Sequence, residues 1–223
     1  MIRNFHFRPE KIIVTPEGAP QKSLPFPGLK YKLSEFGLTK HYLIYVGNAY
    51  PHKNLEGLIR AFEILISDLK KDFQLALVGE EDYFYERLQE EAKDSILSEP
   101  EIFERLLFTD FVADEDLWIL YQNAALYVFP SLCEGFGLPP LEAMSQGVPV
   151  VCSSATCLPE VLGEAAIYFD PLSPRDMAEK INQVLDSENL RRDLINRGFE
   201  QIKKYSWRKM GEETLKIYLG SRA

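Results

Sequence analysis

No run of apolar residues in this 223-residue chain approaches the roughly 18–20 needed for a helix to cross a bilayer. The first residues, MIRNFHFRPEK, also lack the apolar core of a secretory signal, so the expected setting is the cytoplasm. Cysteine is scarce: Cys133, Cys152 and Cys157 form no CxxC pair and share no metal-ligand spacing with the three histidines. That pattern reads as reduced thiols, with neither a disulfide framework nor a structural metal. Positive charge is in deficit, 25 Lys and Arg standing against 34 Asp and Glu for a net charge of −9. A nucleic-acid binder would carry a basic footprint, so that class is set aside. Internal repeats and low-complexity tracts are missing as well, and the length suits one large domain or two small ones.

One stretch departs from the acidic balance. Between Arg191 and Lys209 seven Lys and Arg meet only two acids. This is either a solvated helical face or a surface for an anionic membrane or a neighbouring acidic domain. From about residue 41 onwards, apolar runs alternate with amphipathic stretches. YLIYVG (42–47), FQLALVG (73–79), LLFTDF (106–111), ALYVFP (125–130), VPVVCS (148–153) and AAIYFD (165–170) are continuous enough to be strands covered on both faces. Between them, 54–70 places apolar residues at 3–4 spacing, and helices are expected near 82–95, 114–124 and 138–146. The fold class that follows is α/β, a parallel sheet with helices on both faces. Its ligands would bind beyond the carboxyl ends of the strands, where Gly47, Gly79 and Gly135 stand. Residues 1–40 differ: after a short strand KIIVT, the segment PEGAPQKSLPFPGLKYK reads as a linker.

The segment PSLCEGFGLPPLEAMSQGVPVV (130–151) carries the strongest chemical signal. Gly135 and Gly137 remove side chains that would keep a ligand from the main chain. Pro139 and Pro140 suit the first turn of a helix, whose free N–H groups and positive dipole end favour phosphate. Glu142, one turn into that helix, could accept hydrogen bonds from a vicinal diol such as ribose. Glu134, eight positions earlier, could meet another part of the same ligand. First-turn glutamates also serve simply as dipole partners. In VGNAYPHKN (46–54), Lys53 precedes a helix where a cation is electrostatically misplaced, and a bound anion would compensate it. FTDFVADEDLW (108–118) offers a strand end whose main chain could edge-bind a base. Asp114-Glu115-Asp116 matches a metal-binding DxD literally, but its place at a helix start favours an N-cap and dipole role.

Taken in order, VGNAYPHKNLEGLIRAF, LALVGEE, FTDFVADEDLWILYQNAALYVFPS, EGFGLPPLEAMSQGVPVV, LPEVLGEAAIYFDP and YSWRKM resemble the C-terminal half of retaining GT-B glycosyltransferases, in the family called glycosyl transferase group 1. The resemblance runs from about Lys11 to Tyr218. It implies a Rossmann-like sheet that is one half of a GT-B architecture, with a UDP- or GDP-linked sugar as donor, no cofactor and no metal. By resemblance, Glu142 holds the ribose hydroxyls, and Glu134 approaches and orients the donor sugar. Main-chain amides of Gly135, Phe136, Gly137 and Leu138 contact sugar and diphosphate. Lys53 neutralises the diphosphate, main chain near Val112 binds the base, and Gly47 with Asn48 permits close approach.

Two departures from the family pattern stand out. Asn48 and His52 occupy positions where relatives often carry arginine, leaving Lys53 to hold most of the diphosphate charge. A complete enzyme of this fold also has an N-terminal acceptor domain of similar size. The division expected is therefore 1–40 as interdomain remnant and linker, 41–205 as the nucleotide-sugar-binding domain, and 206–223 as a helix returning toward that N-terminal domain. The function expected is retaining transfer of a hexose to an acceptor, with peripheral membrane association of the full enzyme as a further expectation. An epimerase of the same architecture and a non-catalytic nucleotide-binding module are the alternatives.

Overall fold

The computed structural model describes residues 8–21, 30–38 and 41–220. Its centre is a six-stranded sheet: β1 (Tyr42–Val46), β2 (Gln74–Val78), β3 (Leu106–Thr109), β4 (Leu126–Phe129), β5 (Val150–Ser153) and β6 (Ala166–Phe169). The strands lie in the order β3-β2-β1-β4-β5-β6, and every pairing is parallel. Parallel neighbours need crossover connections, and the helices supply them. They are α1 (Lys30–Glu35), α2 (Leu55–Ser67), α3 (Tyr83–Glu91), α4 (Asp114–Asn123), α5 (Leu138–Ser145), α6 (Leu158–Leu162), α7 (Pro174–Leu185), α8 (Glu188–Ile202) and α9 (Trp207–Gly220).

The apolar runs explain which strands sit centrally. All residues of β2, β4 and β5 are buried, as are the first four of β1, whereas most of β3 is only half-buried. Strands covered on both faces need apolar residues at every position, while an edge strand does not. Right-handed crossovers place the helices of the two half-sheets on opposite faces. Helix α2 packs against α7, and α5 against α8. The packing stripe of α2 is Leu55, Leu58, Ile59, Phe62 and Leu65, all buried.

Two local expectations differ from the structure, and the helix expected near 82–95 is present with a π turn at its end. KIIVT is not a strand: Pro9–Lys11 forms a 3₁₀ turn, and Ile13 and Val14 are 62% and 79% exposed, with no partner strand among the described residues. The linker-like segment contains α1, followed by Leu38, which is buried in the core, and by Gly37, whose carbonyl accepts from Gln74. Helix α3 ends at Glu91 and continues as one π turn over Ala92–Ile96.

The basic stretch is internally paired. Arg191 donates to the carbonyls of Val184 and Leu185 at the end of α7, where a cation complements the helix dipole. Arg192 pairs with Glu188, Arg197 with Asp193, Lys203 with Glu200, Arg208 with Glu212 and Lys209 with Glu213, and Lys204 donates to Gln201. That is a solvated helical face. No helix among the described residues is long and apolar enough to cross a membrane.

Candidate functional site

The connection from β1 leads to β2 on one side, and that from β4 leads to β5 on the other. Their carboxyl ends therefore diverge and open the crevice in which parallel α/β sheets bind ligands. The exit of β1 is held firmly. The hydroxyl of Tyr127 donates to Val46 O at 3.5 Å, that of Tyr85 to Gly47 O at 2.8 Å and that of Tyr45 to Asn48 O at 2.8 Å. Burial pushes all three phenols upward, so they stay protonated donors. Gly47 has φ +149, a conformation other residues rarely adopt. A side chain at Gly79 would strike the Gly47 carbonyl, so the exits of β1 and β2 fit back to back.

Beyond Gly47 the chain makes a 3₁₀ turn, Pro51–Lys53, and enters α2 through Asn54 in the left-handed conformation, φ +57. The Asn54 amide donates to Pro130 O at 3.2 Å and Pro171 O at 2.8 Å, tying the start of α2 to the exits of β4 and β6. The Leu132 N–H donates to His52 O at 2.8 Å. These ties bring the two sequence-distant loops together, and Lys53 Nζ lies 2.6 Å from Glu134 Oε1. Both side chains are mostly covered, at 15% and 12% exposure, and the ammonium lies 5.5 Å from the Phe129 ring centroid. The anion expected to compensate Lys53 is, in this structure, the carboxylate of Glu134.

The loop after β4 is fastened from β5's exit. The Glu134 N–H donates to Thr156 Oγ1 at 3.1 Å, and the Cys157 thiol lies 3.3 Å from Glu134 O and 3.5 Å from Phe136 O. Burial raises the Cys157 thiol above its ordinary value, which keeps its hydrogen on sulfur. The Phe136 ring packs edge-on to Tyr205, with centroids 5.2 Å apart. No atom beyond the two adjacent residues lies within 4 Å of where a side chain at Gly135 would begin. Gly137 has φ +102, caps α5 without a side-chain bond, and would press a Cβ to 2.7 Å from Leu158 Cδ2. Leu138 then opens α5, followed by Pro139 and Pro140.

Glu142 sits apart from that pair. Its Oε2 accepts from the Tyr121 hydroxyl at 3.4 Å. Burial raises its carboxyl above the usual range, the Tyr121 bond opposes this, and Asp114 adds a smaller upward push. Asp114, Glu115 and Asp116 all fall within the first turn of α4, whose cap is Ala113 with no side-chain bond. The expected N-cap is thus corrected: no acid of the triplet caps the helix, and all three instead face its dipole. No group of three or more His, Cys, Asp or Glu among the described residues could hold a metal ion.

Gly47, Asn48 and Val112 line a common open hollow of about 380 Å³, together with Tyr50, Phe111 and Leu117. Sequence reasoning missed Tyr45, Tyr85, Tyr127, Asn54, Thr156 and Cys157, which hold the site without lining it. For Tyr45 and Tyr127 the signal was present only as oddity, tyrosines inside otherwise apolar strands; Tyr85 lies on α3, and it, Asn54, Thr156 and Cys157 carried no such signal.

A family profile described as glycosyl transferases group 1 matches residues 32–201. The chain belongs to that family. This group 1 domain is 34% identical, over 98% of its length and 57% of the relative's, to the O-antigen chain mannosyltransferase B of Escherichia coli. It is 27% identical over 98% of its length, and half of the relative's, to an MMP alpha-(1->4)-mannosyltransferase of Mycolicibacterium hassiacum. The chain thus spans about half the length of these two relatives, and about a fifth of other mannosyltransferases that it matches. Among solved structures, a glycosyltransferase from Rickettsia africae superposes with a TM-score of 0.83 at 15% identity, over 97% of this chain and 59% of that one. The C-terminal domain of a group 1 family protein from Francisella tularensis superposes with a TM-score of 0.68 at 21% identity, over 81% of this chain and 93% of that one. The fold is Rossmann-like, a parallel sheet with helices around it as in these glycosyltransferase structures.

Proposed function

We propose that the chain is the donor-binding half of a retaining, nucleotide-sugar-dependent glycosyltransferase. The observation that carries this is the meeting of Lys53 and Glu134, 81 residues apart, at 2.6 Å where β1 and β4 diverge. In this reading Lys53 receives the diphosphate, with the main-chain amides of Gly135, Phe136, Gly137 and Leu138 around it. Val112 and the hollow beside Gly47 and Asn48 receive the base, Glu142 takes the ribose hydroxyls, and Glu134 orients the sugar. A UDP- or GDP-linked hexose fits these roles. Mannose is the sugar we favour, because several relatives carry the name mannosyltransferase. No metal is assigned to the reaction, since Lys53 supplies the charge.

The reaction proposed is front-side displacement. The bond from the anomeric carbon to the diphosphate oxygen breaks with its electron pair leaving on phosphate. The acceptor oxygen bonds to the same face, and its proton passes to the departing phosphate oxygen. The chain contributes orientation and charge stabilisation as the diphosphate leaves. We divide the chain accordingly into 1–40 as interdomain segment, 41–205 as donor domain and 206–223 as the return toward an acceptor domain. A cytoplasmic setting, with the full enzyme at the inner membrane face, belongs to the same proposal. The internal pairing of the basic stretch leaves membrane docking supported by exposure alone.

The test is a thermal-shift panel of UDP, GDP, ADP and their hexose conjugates, since ligand that binds only the native state raises its stability. A shift with at least one nucleoside diphosphate, unchanged by EDTA, is expected. No shift with any of them at millimolar concentration would remove the reading.

A further inference from the structure

We infer that Glu134 is a resident counter-ion that a diphosphate must displace from Lys53, and that this exchange sets the preference for a diphosphate sugar over the bare diphosphate. The inference rests on the donor-binding reading above and adds to it the basis of selection.

Lys53 is already neutralised, at 2.6 Å, and both partners are largely covered. An ammonium has further donors to offer, so a phosphate could in principle approach beside the carboxylate. Charge opposes that arrangement. Two anions sharing one cation repel, and they repel strongly where water is partly excluded. Among the described residues no second Lys or Arg forms an ion pair with Glu134, and the flanking positions hold Asn48 and His52. The aromatic face of Phe129 lies 5.5 Å from Nζ, so the cation has a ring on one side and the carboxylate as its ion-pair partner.

The local architecture says what moves. The Glu134 main chain is pinned at its N–H by Thr156 and at its carbonyl by Cys157, so the loop stays while the side chain turns. Space for that turn exists beside Gly135, where no atom beyond the two adjacent residues stands within 4 Å of a Cβ position. Once turned, the carboxylate accepts hydrogen bonds only. The hydroxyls of a sugar on the diphosphate satisfy it. A bare nucleoside diphosphate has no sugar beyond its β-phosphate, and in this reading its ribose hydroxyls are held by Glu142, so it breaks the ion pair without replacing it, and Glu134 acts as a specificity residue.

The experiment is titration calorimetry on the 223-residue chain with UDP, GDP, inorganic pyrophosphate and the UDP- and GDP-hexoses. It compares the unsubstituted protein with Glu134→Gln, Glu134→Ala and Lys53→Met, each checked for an unchanged melting transition. Removing the resident anion should tighten nucleoside diphosphate and pyrophosphate by at least about threefold, because a largely covered pair is worth no less than the upper part of the roughly 0.2–1 kcal/mol found for exposed pairs. The hexose conjugate should gain nothing or lose affinity, so the ratio of sugar-bearing to bare ligand falls. In the Lys53→Met background, Glu134→Gln should no longer tighten pyrophosphate. Nucleoside diphosphate that binds the unsubstituted chain, and binds both Glu134 variants equally or more weakly, overturns the inference while leaving the donor-binding reading intact. Failure of every diphosphate to bind any version overturns both.

Discussion

At the scale of single residues, Glu142 carries opposed demands in one carboxyl group. Burial holds its pKa above the ordinary carboxylate range, and the Tyr121 bond only partly offsets this. A carboxyl raised in the folded state subtracts stability once ionised, and the loss sets in as pH rises from the ordinary carboxylate range through the raised value. Glu142→Gln should therefore melt higher at pH 7, with the difference shrinking toward pH 4, as differential scanning calorimetry would record. The same substitution should cost ribonucleotides about 1.5–3 kcal/mol of binding through a lost charge-assisted bond. It should cost 2′-deoxyribonucleotides, which keep only the 3′-hydroxyl, clearly less, and equal losses for both sugars would show that Glu142 does not read the ribose diol. Gly137 is the backbone counterpart. Its φ of +102 and the close Leu158 methyl predict that Gly137→Ala destabilises by about 1–3 kcal/mol in urea unfolding.

At the scale of elements, Asn54 laces α2 to the exits of β4 and β6 through Pro130 and Pro171. Asn54→Ala removes two bonds to buried or half-buried carbonyls and puts alanine at φ +57. A loss of about 2–3 kcal/mol follows, measurable by chemical denaturation. Asn54→Gly, which tolerates the backbone, should recover part of it. The β4–loop–α5 unit was legible in the sequence because an apolar run, two glycines and two prolines each demand one local conformation. Lys53 and Glu134 were legible as charges but not as partners, since only the sheet order brings residues 81 apart together. KIIVT misled because β-branched residues favour a strand only where a neighbour pairs with it. Tyr45 and Tyr127 fell in strands read as covered on both faces and Tyr85 in an expected helix, and their hydroxyls' hold on the β1 exit depends on register that periodicity does not carry.

At the scale of the whole molecule, α9 is the element least absorbed by the core. It has no buried residue, and Leu215 and Leu219 are 56% and 59% exposed. Replacing both by serine should leave the melting temperature of this chain nearly unchanged, within about 0.5 kcal/mol per site. It should weaken association with an amino-terminal acceptor domain supplied in trans, by sedimentation or calorimetry. Transfer assays belong at this scale too. The chain alone should bind donor but transfer no sugar, because proximity of an acceptor accounts for much of such catalysis. Adding the acceptor domain should restore transfer with retention. Robust transfer by the 223 residues alone would contradict the division of labour.

The position of β1 between β2 and β4 also has a bearing on how the chain is made. Tyr42 pairs with Gln74 early in synthesis, but Leu43 must wait for Leu126 to cover its other side. At about 5–20 residues per second, that wait lasts on the order of 4–17 seconds. For about the last 1–3 seconds of it, once β3 has been made, a strand as apolar as YLIYV is the bare edge of a three-stranded sheet, open to the same stretch on a neighbouring nascent chain. A strand from the centre of the finished sheet is thus the one most in need of a chaperone while the ribosome is still at work.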